Sequence, residues 1–240
     1  MSFSTFTLDN PSNVPSAFKS DRFKGEEGKD YRVSFLWWKG LTEGKPQMSG
    51  SPMFASCHRM YIEGVGYVLD KGPEFLRVAQ SVDPKVKKPR LAIATVIVSW
   101  ALDQSGRPDK SALQSGGYKV QPWIFSEDKV KSILRKHQEW SLSEHDLTIA
   151  CTDTQFQKMD FSITRDNLFA TLLDKDSSIA KDVIEKAKGV VEGIESTLAQ
   201  DLTLDQLREK LGLETISPTG STGASNGDID DVLGDILDDD

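Results

Sequence analysis

A largely apolar run of twelve residues, 91–102, constrains the fold more than any other segment of the sequence. Its centre, Val96–Val98, is β-branched, and β-branched residues favour strands. Gly106 and Pro108 follow closely and end the pattern. The run therefore predicts a strand at the centre of a β-sheet. No apolar run reaches the 18 or so residues of a membrane-spanning helix, so no membrane association is expected.

Several shorter segments combine β-branched or aromatic residues with alternating polar and apolar positions, which is typical of strands. They are residues 31–38, 60–69, 118–125, 147–151 and 159–163. The second of these is interrupted at Gly64 and Gly66, which permit bending. Helices are predicted at 74–81, after Ser126, which suits an N-cap, and beyond Arg165.

This order predicts an α+β fold: an OB-like β-barrel or related curved sheet, then a helical extension and a disordered acidic tail. OB barrels place a helix between the third and fourth strands, whereas here the segment 118–125 adds one strand before the helix. A different α+β sheet is therefore the alternative. The predicted parts are an N-terminal arm (1–28), an OB-like single-strand-binding domain (29–165), a helical extension (166–213), a flexible linker (214–227) and an acidic amphipathic tail (228–240).

The helical extension carries an apolar seam at alternating three- and four-residue steps, which is typical of helix pairing. Its members are Ala180, Ile184, Ala187, Val191, Ile194 and Leu198. The seam predicts a homo-oligomer, with packing on the chain's own sheet as the alternative. Thr203–Gln206 matches a capping box, which predicts a last short helix that Gly212 can end.

Charge and aromatic residues are distributed unevenly along the chain. The net charge is -8, yet residues 1–150 contain 21 Lys or Arg against 17 Asp or Glu, while residues 218–240 contain seven Asp and no base. Of the 20 Phe, Trp and Tyr residues, 16 lie before residue 126. The excess of Lys and Arg over acids and most aromatic rings thus lie in the same part of the chain, as a binder of single-stranded nucleic acid requires.

Lys and Arg would hold phosphates, and exposed rings would stack on bases. The basic loop 83–90 contains two prolines, which keep it out of regular structure. The residues predicted to bind single-stranded DNA are Trp37, Trp38, Lys39, Arg59, Tyr61, Tyr67, Lys85, Lys87, Lys88, Arg90, Trp100, Arg107, Tyr118, Lys119 and Trp123. The alternatives are that individual rings belong to the core and that the loop is a solvated turn.

The acidic tail also has an apolar stripe at helical spacing, which a merely solubilising tail would lack. Its predicted partner-binding residues are Asp228, Ile229, Val232, Leu233, Ile236 and Leu237. The stripe favours a short helix that docks on a partner protein, whereas the aspartates favour occupation of the chain's own DNA groove as a phosphate mimic.

In its general organisation the sequence resembles bacteriophage single-stranded DNA-binding proteins, of the podovirus type that also serves as an RNA polymerase cofactor. The resemblance rests on the basic aromatic body, the linker 217–227 and the Asp-rich end, with similar segments at 94–100 and 118–125. It implies a role in replication, recombination or early transcription of a phage genome, in the cytoplasm of the infected bacterium. The tail departs from the pattern of bacterial single-stranded DNA-binding proteins by lacking a terminal Pro-Phe, so a bacterial-type set of tail partners is not expected.

The predicted function is therefore non-sequence-specific binding of single-stranded DNA in phage replication or recombination, with a tail that regulates binding or recruits replication proteins. The alternative is a transcription cofactor that recruits a phage or host RNA polymerase to melted early promoters. No enzyme is expected, because phosphate-binding loops and nucleophile elbows are absent from the sequence. No metal or other cofactor is expected either, because the spacings of Cys57, His58, His137, His145 and Cys151 fit no standard zinc motif.

Overall fold

The computed structural model describes residues 22–42, 48, 50–152 and 158–213, which form an α+β fold. The strands in these ranges are β1 (Asp30–Phe35), β2 (Ala55–Ile62), β3 (Gly66–Leu69), β4 (Arg90–Trp100), β5 (Tyr118–Phe125), β6 (Leu147–Cys151) and β7 (Met159–Ile163). The helices are α1 (Lys39–Thr42), α2 (Pro73–Val82), α3 (Lys110–Gln114), α4 (Glu127–Glu139), α5 (Leu168–Asp174), α6 (Ser178–Glu192), α7 (Ile194–Leu198) and α8 (Leu204–Lys210).

The strands form one antiparallel sheet around β4, which confirms the central strand predicted from the apolar run. β5 pairs with β4 from Ile93↔Phe125 to Trp100↔Tyr118 and covers one edge. The other edge is shared, because β2 pairs with the first half of β4 and β1 pairs with the second half. β3 extends the sheet from β2, and β6 followed by β7 extends it from β1.

The sheet is open across the described strands. Its path runs β3-β2-β4-β1-β6-β7, with β5 paired to β4 beside that path. Within the described ranges, the end strands β3 and β7 are not paired with each other, so the closed OB-like barrel is not confirmed. The additional strand before α4, which argued against a simple OB order, is present as β5.

The segment 60–69 forms a hairpin rather than one interrupted strand. Gly64 and Gly66 have φ angles of 79° and 96°, which glycine adopts at no steric cost. They reverse the chain between β2 and β3, and β2 begins earlier than expected, at Ala55. The glycines therefore make a turn where the sequence suggested a bend.

The main core lies between the sheet and the helices that cover it. α6 packs on β4 and β5, and α7 packs on β2 and β4. Four residues of the predicted seam, Ala180, Ala187, Ile194 and Leu198, are buried there. The seam thus contacts the chain's own sheet, and the predicted homo-oligomer does not follow from it. The seam is also divided between two helices at Gly193.

A smaller second core lies beneath the hairpin. Apolar side chains of β2, β3, α2, the basic loop 83–90 and the segment around α8 form it: Met60, Ile62, Val68, Phe75, Ala79, Val86, Leu202 and Leu207. α8 begins at the predicted capping box, in which the Thr203 hydroxyl accepts from the Gln206 amide and the Gln206 side chain accepts from the Thr203 amide. The hairpin therefore packs on its own apolar core, separate from the main core.

A buried ion pair joins β1 to the β6–β7 end of the sheet. Arg32 Nε lies 2.7 Å from Asp146 Oδ2, and the Asp146 carboxylate also accepts hydrogen bonds from the Ser34 hydroxyl and the Leu168 amide. Ser34 in turn accepts a hydrogen bond from Trp100 Nε1 on β4 at 2.8 Å. Burial raises the pKa of the Asp146 carboxyl, while Arg32 and these donors favour its charged form.

None of the helices in the described ranges combines the length and the apolar character that crossing a membrane requires.

We expect Asp146→Ala to lower the free energy of unfolding by about 3 kcal/mol, because the buried Arg32 guanidinium would lose its buried counter-charge and keep only the more exposed carboxylate of Asp166. Urea denaturation followed by circular dichroism measures this change. Asp160→Ala, which removes an exposed carboxylate from β7, is the matched control and should change stability by less than about 0.5 kcal/mol. Adding Arg32→Met to Asp146→Ala should restore part of the loss. Equal losses for Asp146→Ala and Asp160→Ala would contradict a stabilising role for the ion pair.

Candidate nucleic-acid interface

A groove of about 1150 Å³ lies where the start of β4 and the end of β5 meet the β2–β3 hairpin. The basic loop 83–90 and residues 22–25 form further parts of its wall, and α4 contributes near its N-terminus. One wall thus belongs to the main sheet, whereas the hairpin and the basic loop rest on the second core.

Two exposed tyrosines stand on the hairpin side of this groove. Tyr61 on β2 and Tyr67 on β3 are directly opposite each other in the antiparallel register. Their ring centroids are 5.2 Å apart with an angle of 64° between the planes. Tyr61 is 58% exposed and Tyr67 is 39% exposed, whereas their neighbours Met60 and Val68 point into the second core. Strand alternation therefore holds an aromatic pair at the surface.

The basic loop presents its cations around one buried anchor. Val86 is 5% exposed and belongs to the second core, while Lys85, Lys87, Lys88 and Arg90 around it are exposed. The Asp83 carboxylate accepts a hydrogen bond from the Lys85 amide at 2.9 Å, and Gln80 Nε2 donates to the Val86 carbonyl at 2.9 Å. Val86 and these hydrogen bonds therefore fix the conformation of the loop, and its charged side chains face the solvent.

Positive charge dominates the groove. Eight of its lining residues are basic: Arg22, Lys24, Arg59, Lys85, Lys87, Lys88, Arg90 and Lys129. Only Glu63 and Asp83 among the lining residues are acidic. A surface with this excess of cations attracts polyanions, and the two tyrosines beside it offer aromatic rings for stacking.

Seven of the fifteen predicted DNA-binding residues line this groove. They are Arg59, Tyr61, Tyr67, Lys85, Lys87, Lys88 and Arg90. Residues more than twenty positions apart in the sequence are thus brought to one surface by the pairing of β2 with the first half of β4.

Three predicted stacking residues, Trp38, Trp100 and Trp123, are at most 5% exposed and belong to the main core. Trp38 Nε1 donates to the Phe35 carbonyl at 2.7 Å, and Trp100 Nε1 donates to Ser34. Their rings therefore have no free face for a base. Trp37 is half-buried and also packs against the main core.

The remaining predicted residues lie outside the groove lining. Tyr118 is half-buried and donates a hydrogen bond of 2.6 Å to Asp182 on α6. Tyr118 and Lys119 begin β5 beside Ser99 and Trp100, at the end of β4 remote from Arg90. Arg107 follows that same end of β4, and Lys39 is exposed on α1. The structure does not bring these four residues to the groove.

Three groove cations, Arg22, Lys24 and Lys129, were not among the predicted residues. Phe23, between the first two, is 5% exposed, and its ring lies 5.2 Å from Tyr31 and 5.6 Å from Trp123. This anchor places Arg22 and Lys24 at the groove. The sequence signal is a phenylalanine between an arginine and a lysine, which lies within the predicted N-terminal arm (1–28).

The predicted linker and tail, with Asp228, Ile229, Val232, Leu233, Ile236 and Leu237, lie outside the described residues. Across the part of the chain that is described, no group of three or more His, Cys, Asp or Glu side chains could hold a metal ion.

Comparison with known proteins identifies no relative of this chain. No family model matches the chain, and no curated protein or solved structure does so either.

Proposed function

We propose that the chain is a non-sequence-specific single-stranded DNA-binding protein of phage replication or recombination. The observation that carries the proposal is the exposed Tyr61–Tyr67 pair in a groove lined by eight basic and two acidic residues. The phage setting and the cytoplasm of an infected bacterium rest on the sequence resemblance alone. The proposal does not depend on an OB-like barrel, since the groove is formed at one end of an open sheet.

Exposed rings and cations have separate tasks in this proposal. Lys85, Lys87, Lys88 and Arg90 neutralise phosphates, which every sequence presents alike. The tyrosines stack on unpaired bases, whose faces are accessible only when the strand is single. The combination favours single strands over duplexes and tolerates any base sequence.

Neutralising Lys87, Lys88 and Arg90 with Gln should weaken binding to labelled oligo(dT) and reduce the salt dependence of the dissociation constant. For single strands, the slope of log K against log salt should fall by about 0.7 for each lost phosphate contact, hence by about 2 in total. Fluorescence anisotropy at several NaCl concentrations measures both quantities. The control with the same change in net charge is Arg107, Lys110 and Lys119→Gln, all exposed at the other end of β4 and β5. Equal loss in both triple variants would argue against this groove.

Replacing Tyr61 or Tyr67 with Ala should weaken binding by about 1–3 kcal/mol for each base that loses its stacking partner. The salt slope should stay unchanged, because no cation is removed. Trp140→Ala is the control, since Trp140 is 54% exposed yet lies outside the groove lining. If Trp140→Ala weakens binding while both tyrosine variants bind normally, the bases stack elsewhere.

The acidic tail would regulate this groove by competing with DNA. Val86 of the basic loop shares the second core with Leu207 of α8, so the chain passes beside the groove shortly before the described residues end at 213. The 27 residues that follow contain seven Asp and could extend up to about 90 Å. A tethered acidic segment then acts at high effective concentration.

Deleting residues 228–240 should tighten binding to oligo(dT), most strongly at low salt, because the competing aspartates are lost. Anisotropy titrations at low and physiological salt measure the effect. A chain in which the seven tail Asp residues are replaced by Asn should behave like the deletion. Unchanged affinity in both variants would mean that the tail does not compete for the groove.

A second candidate function is that of a transcription cofactor which recruits RNA polymerase to melted promoters. The apolar stripe of the tail favours it, because competition with DNA requires charge alone. Replacing Leu233, Ile236 and Leu237 with Ser, while every Asp is kept, should leave DNA affinity nearly unchanged and abolish recruitment of the partner, replication protein or polymerase. Normal recruitment by this variant in a pull-down would show that no amphipathic helix is needed.

A further inference from the structure

Arg59 differs from the other cations of the groove in what its side chain contacts. Its guanidinium carbon lies 3.8 Å from the centroid of the Tyr67 ring, and its Nη1 donates a hydrogen bond to the Leu198 carbonyl oxygen at the end of α7. By contrast, the side chains of Lys87, Lys88 and Arg90 form no hydrogen bond or ion pair with any described residue. Arg59 is therefore already engaged, whereas these three cations have no such partner within the part of the chain that the structure describes.

The environment of Arg59 is also less polar than that of the loop. Burial is the largest cause of a lowered pKa for the Arg59 guanidinium, and Tyr67 and Cys57 oppose that shift. Arginine nevertheless stays charged in proteins. The partial burial of this cation, its position over an aromatic face and its hydrogen bond to a carbonyl oxygen fix its orientation and hold the ring beside it.

The backbone of Tyr67 is held by the same segment that accepts from Arg59. The Gln200 amide donates to the Tyr67 carbonyl at 2.9 Å, and the Leu69 amide donates to the Gln200 carbonyl at 3.0 Å. Residues 198–200 thus fix the β3 backbone directly and the Tyr67 ring through Arg59. Tyr67 in turn lies against Tyr61, the more exposed ring of the pair.

We propose that Arg59 is a positioning residue, which orients Tyr67 for stacking on a base and does not neutralise a phosphate. This inference rests on the proposed function, because it assigns a task within the same single-strand groove. Arg59 and the basic loop thus have different tasks in the groove, although each contributes positive charge. It also makes the geometry of the stacking site depend on the end of α7.

Salt dependence distinguishes a positioning residue from a phosphate ligand. Dissociation constants for labelled oligo(dT) are measured by anisotropy at several NaCl concentrations for the wild type, Arg59→Gln, Arg59→Lys and Lys87→Gln. Arg59→Gln should bind about fivefold more weakly with an unchanged salt slope. Lys87→Gln should reduce the slope by about 0.7. Arg59→Lys should not restore affinity, because lysine lacks the planar fork that serves the ring and the carbonyl together.

A double-mutant cycle tests whether Arg59 acts through Tyr67. In a Tyr67→Leu background, Arg59→Gln and Arg59→Lys should have no further effect on affinity, since no ring remains to be oriented. Circular dichroism melting shows which variants are folded at the temperature of the titrations. If Arg59→Gln is unfolded there, Arg59→Lys is compared with the wild type in both backgrounds by the same criterion.

The inference is overturned if Arg59→Gln lowers the salt slope as Lys87→Gln does, or if the effect of substituting Arg59 adds fully to that of Tyr67→Leu. That result would make Arg59 a phosphate ligand while the proposed function stands. Absence of oligo(dT) binding by the folded wild-type chain would instead remove the proposed function, and this inference with it.

Discussion

Both edges of β4 are hydrogen-bonded to neighbouring strands, and this constraint organises the rest of the molecule. Peptide groups buried in an apolar interior must be paired, so the long apolar strand requires partners on each side. β5 pairs with β4 along one edge, whereas β2 and β1 pair with successive halves of the other edge. β2 carries the hairpin and the second core, and β1 carries the ion pair and β6. The division of one edge thus creates the two cores.

The groove follows from that division because it lies where the two cores meet. The end of β5 and the residues beside Phe23 belong to the main core, while the tyrosines and the basic loop rest on the second. Each of these groove residues is next to a buried anchor: Tyr61 next to Met60, Lys85 and Lys87 next to Val86, Arg22 and Lys24 next to Phe23. Apolar packing thereby holds like charges together at one surface against their mutual repulsion.

Local sequence signals predicted most of the strands and helices. Burial and the assembly of the groove depend on contacts between distant residues, which those signals do not contain. The central strand, β5, β6, β7 and the capping box at Thr203 follow from periodicity and turn chemistry that a short window contains. Trp123 is enclosed by the rings of four phenylalanines, three of which are distant from it in the sequence: Phe23, Phe35, Phe125 and Phe161. Trp100 lies on the opposite face of the sheet beside Tyr118, which contacts α6. Alternation along a strand does not reveal either environment. The groove residues Tyr61, Tyr67 and Arg90 could be named from composition, but their meeting depends on strand pairing.

The ion pair between Arg32 and Asp146 also sets an order of events during synthesis. A ribosome adds about 5–20 residues per second, so Arg32 emerges several seconds before its counter-charge is made. β1 cannot acquire β4 as a neighbour until residue 100 is available, nor β6 until residue 151. The hairpin and α2 are complete much earlier. The N-terminal strand of the sheet is therefore among the last to be enclosed, and Arg32 stays hydrated until the second half of the chain supplies Asp146.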